Sequence, residues 1–197
     1  MRGMIIKGVL LSLAFSPAVR AQSTTAPEFE ITPEQSKISF AVKASVSLDG
    51  VFEKWDASLK FTSTDPSTGV LDVKIEADSV NTGSGFKDDK LKDKDFFDVK
   101  KDPYITFHST KIVQTAPNTF EVQGTFTIRG VSKPETLTFV AQRQGNAGGE
   151  IKGTMAFDRK EFGMNSGIPF IRIADRVEVS INFKATHVSG PPLVLKQ

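Results

Sequence analysis

The sequence predicts an all-β fold, an extended antiparallel barrel of about eight strands with a short helical insert near residues 84–94. Apolar and polar residues alternate with period two through most of the chain after residue 36. The alternating runs reach roughly 9–12 residues, whereas strands of small sandwiches usually have about 5–6. The chain of 197 residues has 16 Phe but one Trp and one Tyr, so bulky side chains without a polar atom dominate. These features favour a barrel with an apolar lumen over a two-sheet sandwich.

The first 21 residues have the form of a secretory signal peptide. Arg2 and Lys7 are followed by the short apolar run 9–15, and small residues stand before a cleavage site after Ala21. The alternative is an uncleaved anchor helix, but the run is much shorter than the ~20 residues that a bilayer span needs. We therefore expect a periplasmic protein with no membrane span and a single domain at 22–197.

Charge and composition narrow the possible functions. Residues 1–21 hold three basic and no acidic residues, so the remainder of the chain has one more acidic residue than basic residues. Such a balance disfavours a nucleic-acid partner. There is no Cys for a thiolate or a disulfide, the chain has two His, and no phosphate-loop, dinucleotide or hydrolase motif occurs. We expect no catalysis, no cofactor and no metal.

The elements follow in order from the alternation. Strands are predicted at 37–46, 54–61 and 71–77, with a hairpin turn at Asp49-Gly50 after the first of them. A charged helix follows at about 84–94, with Ser84 as a possible N-cap and an apolar side formed by Phe86 and Leu91. Strands resume at 105–110, 120–129, 136–141, 151–157 and 177–185. An apolar connection spans 158–174, and the tail from Ser189 is expected to be a loose end.

The apolar faces of these elements define a candidate ligand site. An eight-stranded lumen can be filled by its own side chains or can hold one small ligand, and composition leaves both open. The helix and the 158–174 connection look like lids for a barrel mouth. The predicted lining is Phe40, Val42, Trp55, Phe61, Val73, Ile75, Phe86, Leu91, Phe97, Phe107, Phe126, Ile128, Met155, Phe157, Phe162, Met164, Phe170, Ile181 and Phe183.

Two charged residues beside this apolar set are candidates for binding a ligand head group. Asp158 and Arg159 lie next to Phe157 and close to Phe162. The alternative is a salt bridge at the barrel rim. The same pair is the one candidate for acid–base chemistry, which would require both side chains to face the lumen. His108 and His187 are expected at the surface.

Several motifs, taken in order, resemble the YceI family of periplasmic lipid-binding proteins, also called polyisoprenoid-binding proteins. The resemblance covers about residues 29–186. The motifs are DSVNTG (78–83), DFFDV (95–99), PYITFHST (103–110), GTFTIRGVSKP (124–134), FDRKEFGM (157–164) and IADRV (173–177).

The resemblance implies a lipocalin-like barrel whose hydrophobic channel holds a lipid, isoprenoid or quinone-like ligand. It implies a carrier and not an enzyme, and we expect a monomer or a homodimer. The alternative function is an envelope stress or interaction module with a filled barrel and no ligand.

Overall fold

The computed structural model describes residues 26–45, 48–143, 148–167 and 170–197, so the predicted signal peptide lies outside the described residues. The described part contains eleven strands, one α-helix and four one-turn 3₁₀ helices. The strands are β1 (Glu28–Ile31), β2 (Lys37–Ala44), β3 (Leu48–Phe52), β4 (Trp55–Lys60), β5 (Val70–Glu76), β6 (Val80–Asn81), β7 (Tyr104–Ala116), β8 (Thr119–Ile128), β9 (Val131–Arg143), β10 (Gly148–Asp158) and β11 (Ile173–Ser189). The helix is α1 (Gly85–Lys92), and the 3₁₀ helices are Pro33–Gln35, Pro66–Thr68, Ala77–Ser79 and Arg159–Phe162.

Eight of these strands form a closed antiparallel ring. Its order is β1-β4-β5-β7-β8-β9-β10-β11, and pairing of β11 with β1 completes it. The remaining strands β2, β3 and β6 branch from β11, so the long strand β11 pairs with β2 in its first part and with β1 in its last. The predicted eight-stranded antiparallel barrel with one short helix is confirmed.

The period-two pattern explains which face of each strand is buried. On β5, Leu71, Val73 and Ile75 are buried, whereas the residues between them are exposed. The same alternation on the other strands gathers the apolar side chains in the lumen, with Phe162 and Phe183 almost fully buried. Since each fully buried side chain of this size contributes about 1.5–3 kcal/mol, the lumen is the main source of stability.

The predicted turn at Asp49-Gly50 is wrong, because both residues lie inside β3 and pair with Ala41 and Phe40. The chain has already reversed by Leu48. A Cβ atom on Gly50 would lie 2.8 Å from the Phe40 ring. The glycine therefore makes room for a neighbouring aromatic ring and does not form a turn.

The helix begins and ends close to the predicted bounds, but it differs in two details. Ser84 occupies the N-cap position without a side-chain capping bond, and Asp88 instead accepts hydrogen bonds from the backbone N and hydroxyl of Thr82. Leu91 is buried, whereas Phe86 is 68% exposed. Five residues of α-helix rotate a side chain by about 140°, so Phe86 and Leu91 cannot share one face.

The C-terminal tail is ordered against the barrel and is not the loose end that the sequence predicts. The backbone N of Val194 donates to the Thr64 carbonyl over 2.9 Å. The Gln114 amide bonds to Lys196 in both directions, at 2.9 Å and 2.8 Å. These bonds hold the tail across the end of the barrel where β7 turns into β8.

Candidate functional site

The barrel encloses a cavity of about 380 Å³, which we call the larger cavity. All eight strands of the ring contribute to its wall, and the docked tail adds Pro192, Leu193 and Leu195. The other lining residues are mainly apolar: Phe29, Ile31, Leu59, Phe61, Pro66, Leu71, Ile112, Phe120, Val122, Phe139, Ala141, Gln142, Gly148, Gly149, Glu150, Ile151, Phe183, Ala185 and His187. The larger cavity thus lies at the tail end of the barrel.

A second cavity of about 70 Å³, the smaller cavity, lies at the opposite end of the barrel. Leu91 of α1 and the following Phe96 and Phe97 cover it from one side, and Met164 covers it from another. Because it is less than a fifth of the volume of the larger cavity, its occupant in this conformation would be only a few atoms.

Among the buried side chains that line neither cavity, four occupy strand positions between the two, and we call them the belt: Val73, Phe107, Met155 and Ile181. Each lies on its strand between residues that line the larger cavity and residues that line the smaller one. All four are no more than 8% exposed. Gly124 on β8 completes the belt, because the Phe107 ring occupies the space where its side chain would stand. The belt is entirely apolar and lies packed in the middle of the barrel.

The predicted lining residues divide among these regions. Phe61 and Phe183 line the larger cavity. Nine line the smaller cavity: Phe40, Val42, Ile75, Leu91, Phe97, Phe126, Ile128, Phe157 and Met164. Val73, Phe107, Met155 and Ile181 form the belt, and Phe162 is fully buried beside Phe126 and Phe157.

Three of the predicted lining residues lie outside both cavities. Phe86 is 68% exposed and Phe170 is fully exposed. Trp55 stands in an outer groove next to Glu53, with its ring 5.2 Å from that of Phe183.

Most residues in the wall of the larger cavity are not among the predicted lining residues, although the alternation of apolar and polar residues indicates many of them. On β11, Phe183 shares its phase with Ala185 and His187, and on β8 Phe126 shares its phase with Phe120 and Val122. If the alternation is followed to the ends of each strand, it places these residues on the side that faces the lumen. The tail residues carry no such signal, because they lie in no strand.

The head-group candidates Asp158 and Arg159 point to opposite sides. Asp158 is exposed, and its carboxylate accepts from the Lys160 backbone N at 2.8 Å, which caps the 3₁₀ helix Arg159–Phe162. Arg159 is 6% exposed and borders the smaller cavity. The pair therefore lacks the shared lumen-facing arrangement that acid–base chemistry would need.

The Arg159 guanidinium already donates to four oxygen atoms of the chain. These are the carbonyls of Ala174, Met164 and Ser166 and the Asp175 carboxylate, the last at 3.2 Å. Hydrogen bonding from Lys160, followed by the attraction of the Lys160 and Arg159 charges, lowers the pKa of Asp175. Arg159 thereby ties the connection before β11 to the barrel, and a ligand would have to compete with these bonds.

The two histidines differ in environment. His108 lies on the outer face of β7, where Nδ1 is 2.6 Å from the Asp72 carboxylate. His187 borders the larger cavity, with its ring 5.4 Å from that of Phe29. The Nε2 atom of His187 is buried and has no hydrogen-bond partner among the described residues. The expected surface position is confirmed for His108, whereas His187 belongs to the cavity wall.

The described ranges contain neither a metal-binding cluster nor a helix that could span a membrane. No three His, Asp or Glu side chains there come together as a group that could hold a metal ion. No helix in the same ranges is both long and apolar enough to cross a bilayer.

Known proteins resemble this chain in sequence and in structure. A UPF0312 protein from Pseudomonas paraeruginosa is 31% identical over 170 residues, which are 81% of this chain and 88% of that protein. A UPF0312 protein from Pectobacterium atrosepticum is 30% identical over 176 residues, which are 83% and 90% of the two chains.

Among solved structures, BcnA of Burkholderia cenocepacia has a TM-score of 0.71 and 25% identity, covering 79% of this chain and 99% of that one. A polyisoprenoid-binding domain from Saccharophagus degradans, implicated in plant cell wall breakdown, has a TM-score of 0.62 and 14% identity, covering 82% and 99%. The YceI-like domain matches residues 29–185, and the chain therefore belongs to the YceI-like domain family.

Proposed function

We propose that this protein binds a long-chain apolar or isoprenoid-tailed amphiphile inside the barrel and carries it in the periplasm. The observation that carries the proposal is the larger cavity of about 380 Å³ with its mainly apolar wall. Pockets for small molecules usually measure about 300–1,000 Å³. An apolar cavity of about 150 Å³ already holds benzene, so this cavity has room for about fifteen heavy atoms.

The energy of binding would come from removing the chain of the ligand from water. Each buried methylene contributes about 0.8 kcal/mol, so ten contribute about 8 kcal/mol before the costs of ordering. Phe suits such a wall because it leaves no unsatisfied polar atom there. Membership of the YceI-like domain family and the polyisoprenoid-binding domain among the structural neighbours support an isoprenoid or other lipid as the ligand.

A carrier of this kind needs no reactive group, and we propose that the protein is not an enzyme. Arg159 is the one buried ionisable side chain among the described residues, and its donors are bonded within the chain. The alternative of a filled barrel without a ligand fits the packed belt, but the larger cavity argues against it.

The proposal includes export, with cleavage after Ala21 and a single domain at 22–197. Both the short apolar run and the small residues before Ala21 support it. Whether the exported chain is a monomer or a homodimer stays a prediction, and its mass in native conditions measures this directly.

Native mass spectrometry of the full-length chain, expressed in a Gram-negative host and released from the periplasm, tests the proposal. We expect a polypeptide that starts at Gln22, with an added mass that organic solvent extracts as a lipid. Ile151→Trp should strongly lower the fraction of protein that carries the added mass, because Ile151 lines the larger cavity and the indole would occupy more than about a third of its volume.

The matched control is Val140→Trp on the adjacent strand. Val140 lies opposite Lys152, is 39% exposed and lines neither cavity, so this variant should keep the ligand. A wild-type protein that repeatedly emerges empty and also excludes the fluorescent lipid cis-parinaric acid would overturn the binding function.

A further inference from the structure

The larger cavity has a polar end and an apolar end. Its polar residues are Gln142, Glu150 and His187, of which Gln142 and Glu150 share the outward strand phase of Val140 and Lys152, whereas His187 shares the phase of Phe183 and Ala185. Gln142 and Glu150 face each other in the β9–β10 ladder, and His187 follows the stretch of β11 that pairs with Gly148 and Gly149. All three therefore lie at the rim near the tail, whereas the opposite end of the cavity is lined by apolar residues such as Leu71 and Phe183, with the belt beyond them.

Among these residues, His187 has a side-chain nitrogen whose hydrogen-bonding capacity is not satisfied within the described residues. Glu150 lies 3.8 Å from the Lys152 ammonium. The Nε2 atom of His187 is buried and lacks a partner among the described residues. A buried polar atom without a partner is costly, so a site that keeps one usually satisfies it with water or with a ligand.

The surroundings of His187 point to a ligand. Phe29 packs its ring against the imidazole at 5.4 Å, and Phe61 packs against Phe29 at 5.8 Å. These rings offer no hydrogen bond to the imidazole, but all three residues border the larger cavity. A neutral imidazole nitrogen can donate or accept, according to its tautomer, so it suits a hydroxyl, carbonyl or amide group.

We propose that His187 hydrogen-bonds the polar end group of the ligand, so that the ligand lies with this end at the tail rim and its apolar chain toward the belt. The inference rests on the proposed function. It adds the orientation of the ligand and names the residue that binds its end group. It places that contact at the opposite end of the barrel from Asp158 and Arg159.

The presence of only two histidines in the chain allows a direct spectroscopic test. Imidazole ¹⁵N and ¹H signals are recorded for the delipidated chain 22–197, and His108→Phe assigns them. Addition of 1-dodecanol should shift the His187 signals and leave those of His108 unchanged, because His108 is on the outer face. Shifts at His108 alone, or at neither histidine while dodecanol binds, would contradict the inference.

Comparing an alcohol with the corresponding alkane distinguishes a hydrogen bond to His187 from packing against its ring. His187→Phe keeps an aromatic ring but removes the nitrogen, and we expect it to weaken 1-dodecanol binding by about 2- to 12-fold, as for one neutral hydrogen bond. Binding of dodecane should change by less than about twofold. His108→Phe, the matched control, should leave both affinities unchanged.

The outcomes distinguish the inference from the function on which it rests. Equal weakening of both ligands by His187→Phe would show that His187 only packs against the chain, and the inference would fail while the binding function stands. If wild-type protein binds neither dodecanol nor dodecane, the proposed function fails as well.

Discussion

At the scale of single residues, glycine marks the places where an aromatic ring of the lumen needs the space beside a strand. At Gly124 a Cβ atom would lie closest to the His108 backbone carbonyl, 2.6 Å from the Phe107 ring and 2.9 Å from the Ser109 backbone. None of these neighbours can withdraw freely, since Phe107 is buried in the belt and the contacts with His108 and Ser109 are with main chain. The belt therefore depends on a residue that has no side chain.

We expect Gly124→Ala to lower the free energy of unfolding by about 1–3 kcal/mol, the usual cost of overpacking a core. Urea unfolding of the delipidated chain measures it. The control is Gly85→Ala at the start of α1, where an added Cβ would meet nothing within 4 Å. That change should be neutral or stabilising by up to about 1 kcal/mol, since alanine favours helix over glycine. Equal effects of the two substitutions would refute the steric role of Gly124.

At the scale of elements, the strands were predictable because their signal is local. Alternation on β5 or β8 needs only neighbouring residues, and the helix stands out because its charged sequence breaks that alternation. The position of Asp49-Gly50 in β3 was not predictable, since the demand for a glycine comes from Phe40 on another strand.

The sequence predicts the apolar character of the candidate site, but it predicts less well which residues line it. The sequence indicates an apolar lumen, yet most of the chosen lining residues border the smaller cavity or the belt. Whether an inward-facing side chain meets a cavity or another side chain depends on packing across the barrel. That packing joins residues such as Leu71 and Phe183, which are far apart in sequence.

The position of the tail could not be predicted, because its residues lack the alternation that marks the strands. The tail forms part of the wall of the larger cavity. Deleting residues 191–197 should open the rim and speed release of a bound lipid, because Pro192, Leu193 and Leu195 leave the wall. Stopped-flow fluorescence of cis-parinaric acid release measures the rate. We expect the rate to rise several-fold while the unfolding midpoint changes little.

A point substitution tests the same role of the tail in ligand release without shortening the chain. Gln114→Leu removes both amide bonds to Lys196 and should raise the release rate in the same direction. Release rates equal to that of the wild type in both variants would show that the tail does not control access.

At the scale of the whole molecule, the lumen holds two cavities with the belt at strand positions between them, and we expect this packing to limit the length of chain that fits. A ligand longer than about fifteen heavy atoms must either displace the belt or extend past the rim. The belt residue Met155 is the most adaptable of the four, because its unbranched side chain has several rotatable bonds.

Met155→Ala should join the two cavities and shift the binding preference toward longer chains. We expect the affinity for 1-octadecanol relative to 1-dodecanol to rise, even though the lost packing lowers stability by about 2–5 kcal/mol. Displacement of cis-parinaric acid gives both affinities. Leu48→Ala is the control, since it enlarges the smaller cavity and leaves the belt intact. An unchanged length preference in Met155→Ala would show that the belt does not set it.

The pairing that closes the ring has a consequence for how the protein folds. Phe29 on β1 faces His187 on β11, so the closing strands come from opposite ends of the sequence. Pairings between such distant residues form slowly, because the entropy of closing the long intervening loop is lost before the contacts are gained. The same two residues stand in the wall of the larger cavity. Before β1 pairs with β11, the larger cavity therefore lacks part of its wall, and under the proposed function we expect lipid to bind only after the last strand has taken its place.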